Sequence, residues 1–172
     1  MIHALPFDNQ GAMAVFRWLD ANDRREAEIV RGAPQDHIDL FCDWRAVQSV
    51  AALSFVLRTE RRTPFAVLAV VPTGQAGVAQ AAMLARSHEG YRHSMARTAV
   101  MIRRGLPAWA QSVGFNRLEA RCWAGHPTAA RFLRGCGFHQ ETAVPGYGAD
   151  GTETFLQFAW TQDRRDPHVQ GT

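Results

Sequence analysis

Apolar positions along the chain change their period several times, and each change marks an element. Ile2 to Leu5 is a short apolar start ending at Pro6, which reads as an edge strand. Asp8 is placed to cap a helix whose apolar residues Ala12, Val15, Phe16 and Leu19 recur at helical spacing. Asp23 and Glu26 have the spacing of a capping box and predict the start of a second helix through Ile29 and Val30, closed by Gly32 and Pro34. A third helix is predicted from Asp36, with Ile38, Phe41, Trp44 and Gln48 on one stripe.

Strand-like runs follow. Ser49 to Thr59 and Pro64 to Val71 are rich in Val, Phe and Leu and flank the polar turn Glu60-Arg61-Arg62-Thr63, which predicts an antiparallel hairpin. Pro72-Thr73-Gly74 turns the chain into Val78 to Ala85, whose alanines are compatible with helix, but which completes a meander if it is a strand. From Tyr91, the residues Met95, Ala99, Ile102, Leu106, Trp109 and Val113 alternate by threes and fours, a buried helical stripe. Pro107 lacks an N–H, so a break is expected near Gly105-Leu106. Leu118 to Ala124 alternates as a two-faced strand, Pro127 to Cys136 is an amphipathic helix closed by Gly137, and strands are expected around 140–144 and 155–160. The tail after Thr161 is polar and reads as loose. The order defines a mixed α/β (α+β) chain of one domain over residues 1–161, with a tail over 162–172.

Composition adds three constraints. With 47% apolar and 20% charged residues, the 172-residue chain is ordinary globular material, and neither a membrane span nor a signal peptide is visible, so a soluble, cytoplasmic protein is expected. All 19 basic residues are Arg, so no lysine is present to form a Schiff base; a GC-rich genome is the simple cause, and avoidance of self-modification by an amine-acylating enzyme is the other reading. The net charge of +3 is mild and the Arg pairs are dispersed among acids, which excludes a nucleic-acid footprint while suiting a small polyanionic ligand. Cys42, Cys122 and Cys136 are too widely spaced for a zinc knuckle or a disulfide framework, and the seven histidines include no i, i+4 pair, so no metal is expected. Gly135-Cys136-Gly137 sits where glycine closes a helix, and no His-Asp pattern supports a covalent mechanism.

The segment Asn116 to Phe138, NRLEARCWAGHPTAARFLRGCGF, resembles the second half of the Gcn5-related N-acetyltransferase (GNAT) superfamily. There an "(I/L)EA" strand precedes "NPxSxxxYxxxGF", a short helix and a Gly-Phe turn; Leu118-Glu119-Ala120 and Gly137-Phe138 carry the match. The stretch from Trp18 to Ala27 is similar to a subset of phage-encoded GNAT-like proteins, including the internal virion type. The resemblance implies a central, mostly antiparallel sheet whose middle strands, near Val78–Ala85 and Leu118–Ala124, splay apart around acetyl-coenzyme A. It implies direct transfer of the acetyl group to a small-molecule or peptide amine in a ternary complex, without a metal.

The phosphate loop implied by the resemblance is Ser87-His88-Glu89-Gly90-Tyr91-Arg92. It departs from the family's (Q/R)xxGx(G/A): Ser87 replaces Gln or Arg, and Arg92 replaces a small residue. Arg92, His93 or Arg97 would then hold the phosphate by side chain, with Ser87, Gly90 and Tyr91 in the same loop and Trp123 lining the cofactor cleft. The family's tyrosine acid falls at Leu133, and His126 replaces the Asn. Glu119, His126 and His88 are the candidate bases and Tyr147 a candidate acid, Tyr91 being the one other tyrosine in the chain. The loop 145–154 is expected to cover the substrate entrance. A homodimer through the C-terminal strands is compatible with the resemblance. The competing reading is a non-catalytic GNAT-fold binding or assembly module with virion proteins as partners.

Overall fold

The structure, a computed structural model, describes residues 1–162, and the predicted tail falls almost wholly outside them. Seven strands form one sheet in the order β1-β2-β3-β4-β5-β7-β6. The strands are β1 (His3–Pro6), β2 (Leu53–Arg58), β3 (Pro64–Pro72), β4 (Val78–Ala85), β5 (Arg117–Trp123), β6 (His139–Tyr147) and β7 (Glu153–Thr161). The helices are α1 (Asn9–Arg17), α2 (Ala21–Arg31), α3 (His37–Ala46), α4 (Arg92–Val113) and α5 (Ala129–Gly135). Every ladder is antiparallel except β4–β5.

That parallel pair positions the site. Its register runs Val78↔Arg117, Ala79↔Leu118 and Gln80↔Glu119 and stops there. Beyond Gln80 the two strands diverge, each still fully paired on its outer side: β4 to β3 through Ala85, and β5 to β7 through Trp123. The sheet is therefore continuous at one end of its centre and split at the other.

Two apolar layers hold this shape. Val15, Phe16 and Leu19 of the first helix and its exit pack with Leu40, Phe41 and Trp44 of α3 on Val56, Val67 and Ala69. Phe16, fully buried, meets Phe41 edge-on at 6.4 Å between ring centroids and tilts against Trp44 at 6.0 Å. Ala99, Leu106 and Ala110 of α4 cover Ala79, Leu118, Ala120 and Cys122, with Cys136 and Phe138 closing the layer from below α5.

Three sequence expectations are corrected. The N-cap of α2 is Asp20, whose side chain accepts from Asn22 N–H at 2.9 Å, and Asp23 and Glu26 lie inside the helix, turned toward the split in the sheet. Ile38 is exposed, since α3 buries Leu40, Phe41 and Trp44 instead. No break occurs at Pro107, and α4 runs on for 22 residues. The buried stripe of Leu106 and Ala110 continues through that turn, and packing outweighs the single hydrogen bond a proline removes. Because Pro107 is itself exposed, Pro107→Ala restores a helical donor without disturbing the core. Thermal unfolding of that variant should show a gain of about 1–3 kcal/mol; a loss would mean that α4 is not continuous there.

Candidate active site

The split between β4 and β5 opens a cavity of about 710 Å³. Its walls are mostly apolar, including Leu68, Met83, Ile102, Leu106, Leu118 and Phe132. At the wide end stand four polar residues from three segments: Asp23 and Glu26 of α2, His88 after β4, and His126 after β5, with Thr128 two residues further on.

Helix α2 bridges the two separated strands. The Asp23 carboxylate accepts the Ala85 N–H of β4 at 2.6 Å through Oδ2, and Glu26, one turn later, accepts the Trp123 N–H of β5 at 2.9 Å. Two carboxylates at i, i+3 thus stand in for strand pairing lost when the sheet splits. The backbone of Asp20 adds a third link, its N–H donating to Ala85 C=O at 2.9 Å.

The free Oδ1 of Asp23 is met by two imidazoles. His126 Nε2 lies 2.9 Å away and His88 Nε2 3.0 Å away, the second approaching off the direction of a good hydrogen bond. The rings tilt against each other at 5.2 Å. His126 Nδ1 accepts the N–H groups of Thr128 and Ala129 at 3.3 and 3.1 Å. In the neutral ring the proton is therefore on Nε2, directed at Asp23. His88 Nδ1 lies 2.8 Å from the Thr128 hydroxyl.

The ionisation of the group follows from these contacts. Burial alone would raise the Asp23 carboxyl; the hydrogen bond from His126, the close and charged His88 ring and the Ala85 N–H outweigh it and hold Asp23 below its ordinary value. Burial opposes the His88 cation, yet the Asp23 carboxylate 3.0 Å away, with the charges of Asp20 and Glu26, holds its pKa above the ordinary value. Glu26 goes the other way. Burial pushes its carboxyl up to about 7 against the Trp123 N–H, a value suited to proton exchange near neutrality.

Asp23, His88 and His126 place their ligand atoms within 4.8 Å of one another, a spacing that spans a metal ion. The donor chemistry does not match. A metal-bound His126 Nε2 would need its proton on Nδ1, and Nδ1 already faces two N–H donors.

The residues singled out by sequence divide sharply. His88 and His126 meet in the cavity. Glu119 does not line it: it lies in the last paired position of β4–β5 and accepts from Arg117 Nε at 2.7 Å, while Arg117 also grips Glu141. Tyr147 is at the end of β6, its hydroxyl 2.6 Å from Arg121 Nη1 and its ring on Phe155, and it too is outside the cavity lining. Trp123 offers its backbone to Glu26 and its indole N–H to Glu153 at 2.6 Å. Cys122 and Cys136 are buried thiols pushed up to about 12 by desolvation, unfit as nucleophiles. Asp23, Glu26 and Thr128 were missed. The first two carried a signal, acids at i, i+3 on a helix, which sequence reading assigned to a cap.

The loop before α4 holds most of its donors internally. His88 N–H donates to Asp20 Oδ2 at 2.8 Å, Gly90 N–H to Ser87 Oγ at 3.1 Å, Tyr91 N–H to Ser87 C=O at 3.0 Å and Arg92 N–H to Glu89 C=O at 3.3 Å. Tyr91 itself stacks on Phe65 at 5.6 Å. What this end offers an anion is the exposed side chains of Arg92, His93 and Arg97 and the start of α4, which has no side-chain cap.

A sheet split between β4 and β5 and covered by α4 and α5 is the GNAT acyltransferase fold. Three solved structures show the likeness. The ribosomal-protein-S18-alanine N-acetyltransferase from Escherichia coli superposes with a TM-score of 0.66 at 16% identity, over 99% of this chain and 99% of that one. A GNAT-family acetyltransferase from Bacillus anthracis gives 0.67 at 11% identity, over 93% and 94%. The spermidine N-acetyltransferase from Vibrio cholerae, in complex with CoA and spermine, gives 0.64 at 14% identity, over 94% and 95%. No protein-family model matches the sequence and no curated protein matches it.

Glu26 supplies a stability test. Its carboxyl titrates near 7 when folded against an ordinary value of 4.5. Between these values the folded chain holds a proton that the unfolded chain has released, so stability from this group falls as pH rises through the window. Glu26→Gln keeps an acceptor for Trp123 N–H and removes the titration. Denaturant unfolding should show the variant gaining on wild type by about 1–3 kcal/mol between about pH 4.5 and about pH 8; parallel curves would place Glu26 in water.

Proposed function

We propose that this chain is an acyl-coenzyme A-dependent N-acyltransferase that moves an acetyl group to an amine acceptor in the cavity between β4 and β5. The observation that supports it most is the split itself. Residues 81–84 of β4 have no β5 partner and line a mainly apolar space at the end of which titratable groups converge. An extended pantetheine arm carries amides that suit an unpaired strand edge, and its apolar segments suit the walls. The Ser54 hydroxyl, which lines the same cavity and has no hydrogen-bond partner among the described residues, is a further polar contact for a ligand.

Holding thioester and amine together in this space would supply most of the rate, and proton transfer the remainder. Glu26 is suited to take a proton from an acceptor that arrives as an ammonium ion. The nature of that acceptor, small molecule or peptide, is left to an amine screen.

The loop before α4 favours a second reading. With the N–H groups of residues 88, 90, 91 and 92 already bonded, a pyrophosphate would rely on side chains, and a fold that has lost coenzyme A would serve as a binding or assembly module.

Calorimetric titration with acetyl-coenzyme A separates the two. The enzyme reading expects micromolar binding that Arg92→Ala weakens by ~1–3 kcal/mol, the scale of a charge-assisted hydrogen bond. No heat at millimolar ligand would remove acyl-coenzyme A as the substrate, and binding unchanged in Arg92→Ala would remove Arg92 from the phosphate site.

A further inference from the structure

We infer that the acyl donor carries a medium-chain group, longer than acetyl, whose tail occupies an apolar arm of the cavity between α4 and the facing side of β2 and β3. The inference rests on the acyltransferase reading above and changes the length of the group transferred, not the transfer. The amine nitrogen still forms the C–N bond, the C–S bond still breaks, and the proton that the amine loses leaves on the thiol.

Three observations carry it. The first is the floor of the arm. Two cross-strand rows run outward from the split: Met83 opposes Leu68 and Leu68 opposes Phe55, while Ala81 opposes Val70 and Val70 opposes Leu53. All six line the cavity, and Ala81 and Met83 belong to the stretch of β4 that β5 leaves unpaired. The floor thus starts at the split and reaches β2, two strand spacings or about 10 Å from β4. An acetyl group cannot cover that distance, and an extended alkyl chain can. None of the charged or titratable residues lining the cavity comes from β2, β3 or α4.

The second is the inequality of the two faces of these strands. On the far face, Val56, Val67 and Ala69 are closed over by α1 and α3. On the cavity face, Leu53, Phe55, Leu68 and Met83 stay half-buried at the centre of the sheet, where protein interiors close-pack. The third is the roof. Ile102 and Trp109 of α4 line the cavity and are half-buried too. Between them Gly105 lines the same space, and a Cβ placed on it would meet no atom within 4 Å. Glycine weakens a helix interior, and here it leaves room where the roof crosses the arm.

The test is calorimetric titration with acetyl-, butyryl-, hexanoyl- and octanoyl-coenzyme A, repeated with acetyl- and octanoyl-pantetheine, which need no phosphate site. Affinity should rise by up to about fourfold for each added methylene, the scale of its transfer out of water, and by at least about tenfold from acetyl to octanoyl. Gly105→Leu puts a strong helix former in place of glycine and fills the arm from the roof. It should hold acetyl-coenzyme A as wild type does and lose the gain from chain length; Leu53→Trp, from the floor, should do the same. Thermal melts verify that both variants are folded. A rise in both variants equal to that of wild type overturns the arm. Acetyl-coenzyme A bound as tightly as octanoyl-coenzyme A also overturns it, and leaves the acyltransferase reading standing with acetyl as its group. A rise with chain length for the pantetheine thioesters, with no binding of any coenzyme A thioester, upholds the arm and removes coenzyme A as the carrier. No binding of any thioester overturns both.

Discussion

The wide end of the split sheet depends on one buried carboxylate. Asp23 accepts a backbone N–H from β4 with one oxygen and meets two imidazoles with the other. Burying an ion costs several kcal/mol unless its lone pairs are matched, and here three partners, from β4, the loop after it and the loop after β5, supply the match. Those partners are the same segments that form the mouth of the cavity. Removing the carboxylate would leave the buried His126 ring and a strand N–H unsatisfied together and strip the half-buried His88 of its facing anion, so the geometry of the mouth and the charge at its centre are one property.

Glu26 shows the opposite solution one helical turn away. It accepts a single backbone N–H, from β5, and lies near the Asp23 charge, so desolvation prevails and the proton is held to about 7. Two carboxylates on one helix, both capping strand edges, are thereby driven apart in acidity by the number of donors each receives. This divergence is how one short segment can supply both a fixed anion and a group that exchanges protons near neutrality.

Much of the architecture was legible in the chain. The alternation in 117–123, the apolar stripe of α4 and the meander through Val78–Ala85 are local patterns, and with the Leu118-Glu119-Ala120 and Gly137-Phe138 motifs they led to the fold that is found. His88 and His126 were also within reach as titratable residues beside loops. What stayed hidden is long-range. Asp23 and His126 are separated by 103 positions, and the helix-opening acid pattern at Asp23 and Glu26 gave a sufficient local explanation for both. Glu119 drew notice through its strand motif, yet it lies in the last paired position of β4–β5, before the strands diverge, and its neighbour Arg117 neutralises it away from the cavity. Thr128 has no sequence signal of its own, since the imidazole its hydroxyl meets lies 40 positions upstream.

The division of labour between the two imidazoles around Asp23 is the central claim, and long-range proton–nitrogen NMR of the histidine rings reads it directly. The account predicts that neutral His126 carries its proton on Nε2 and that His88 has a raised titration midpoint that falls in Asp23→Asn. A proton on His126 Nδ1, or a His88 midpoint unmoved by that substitution, would contradict it.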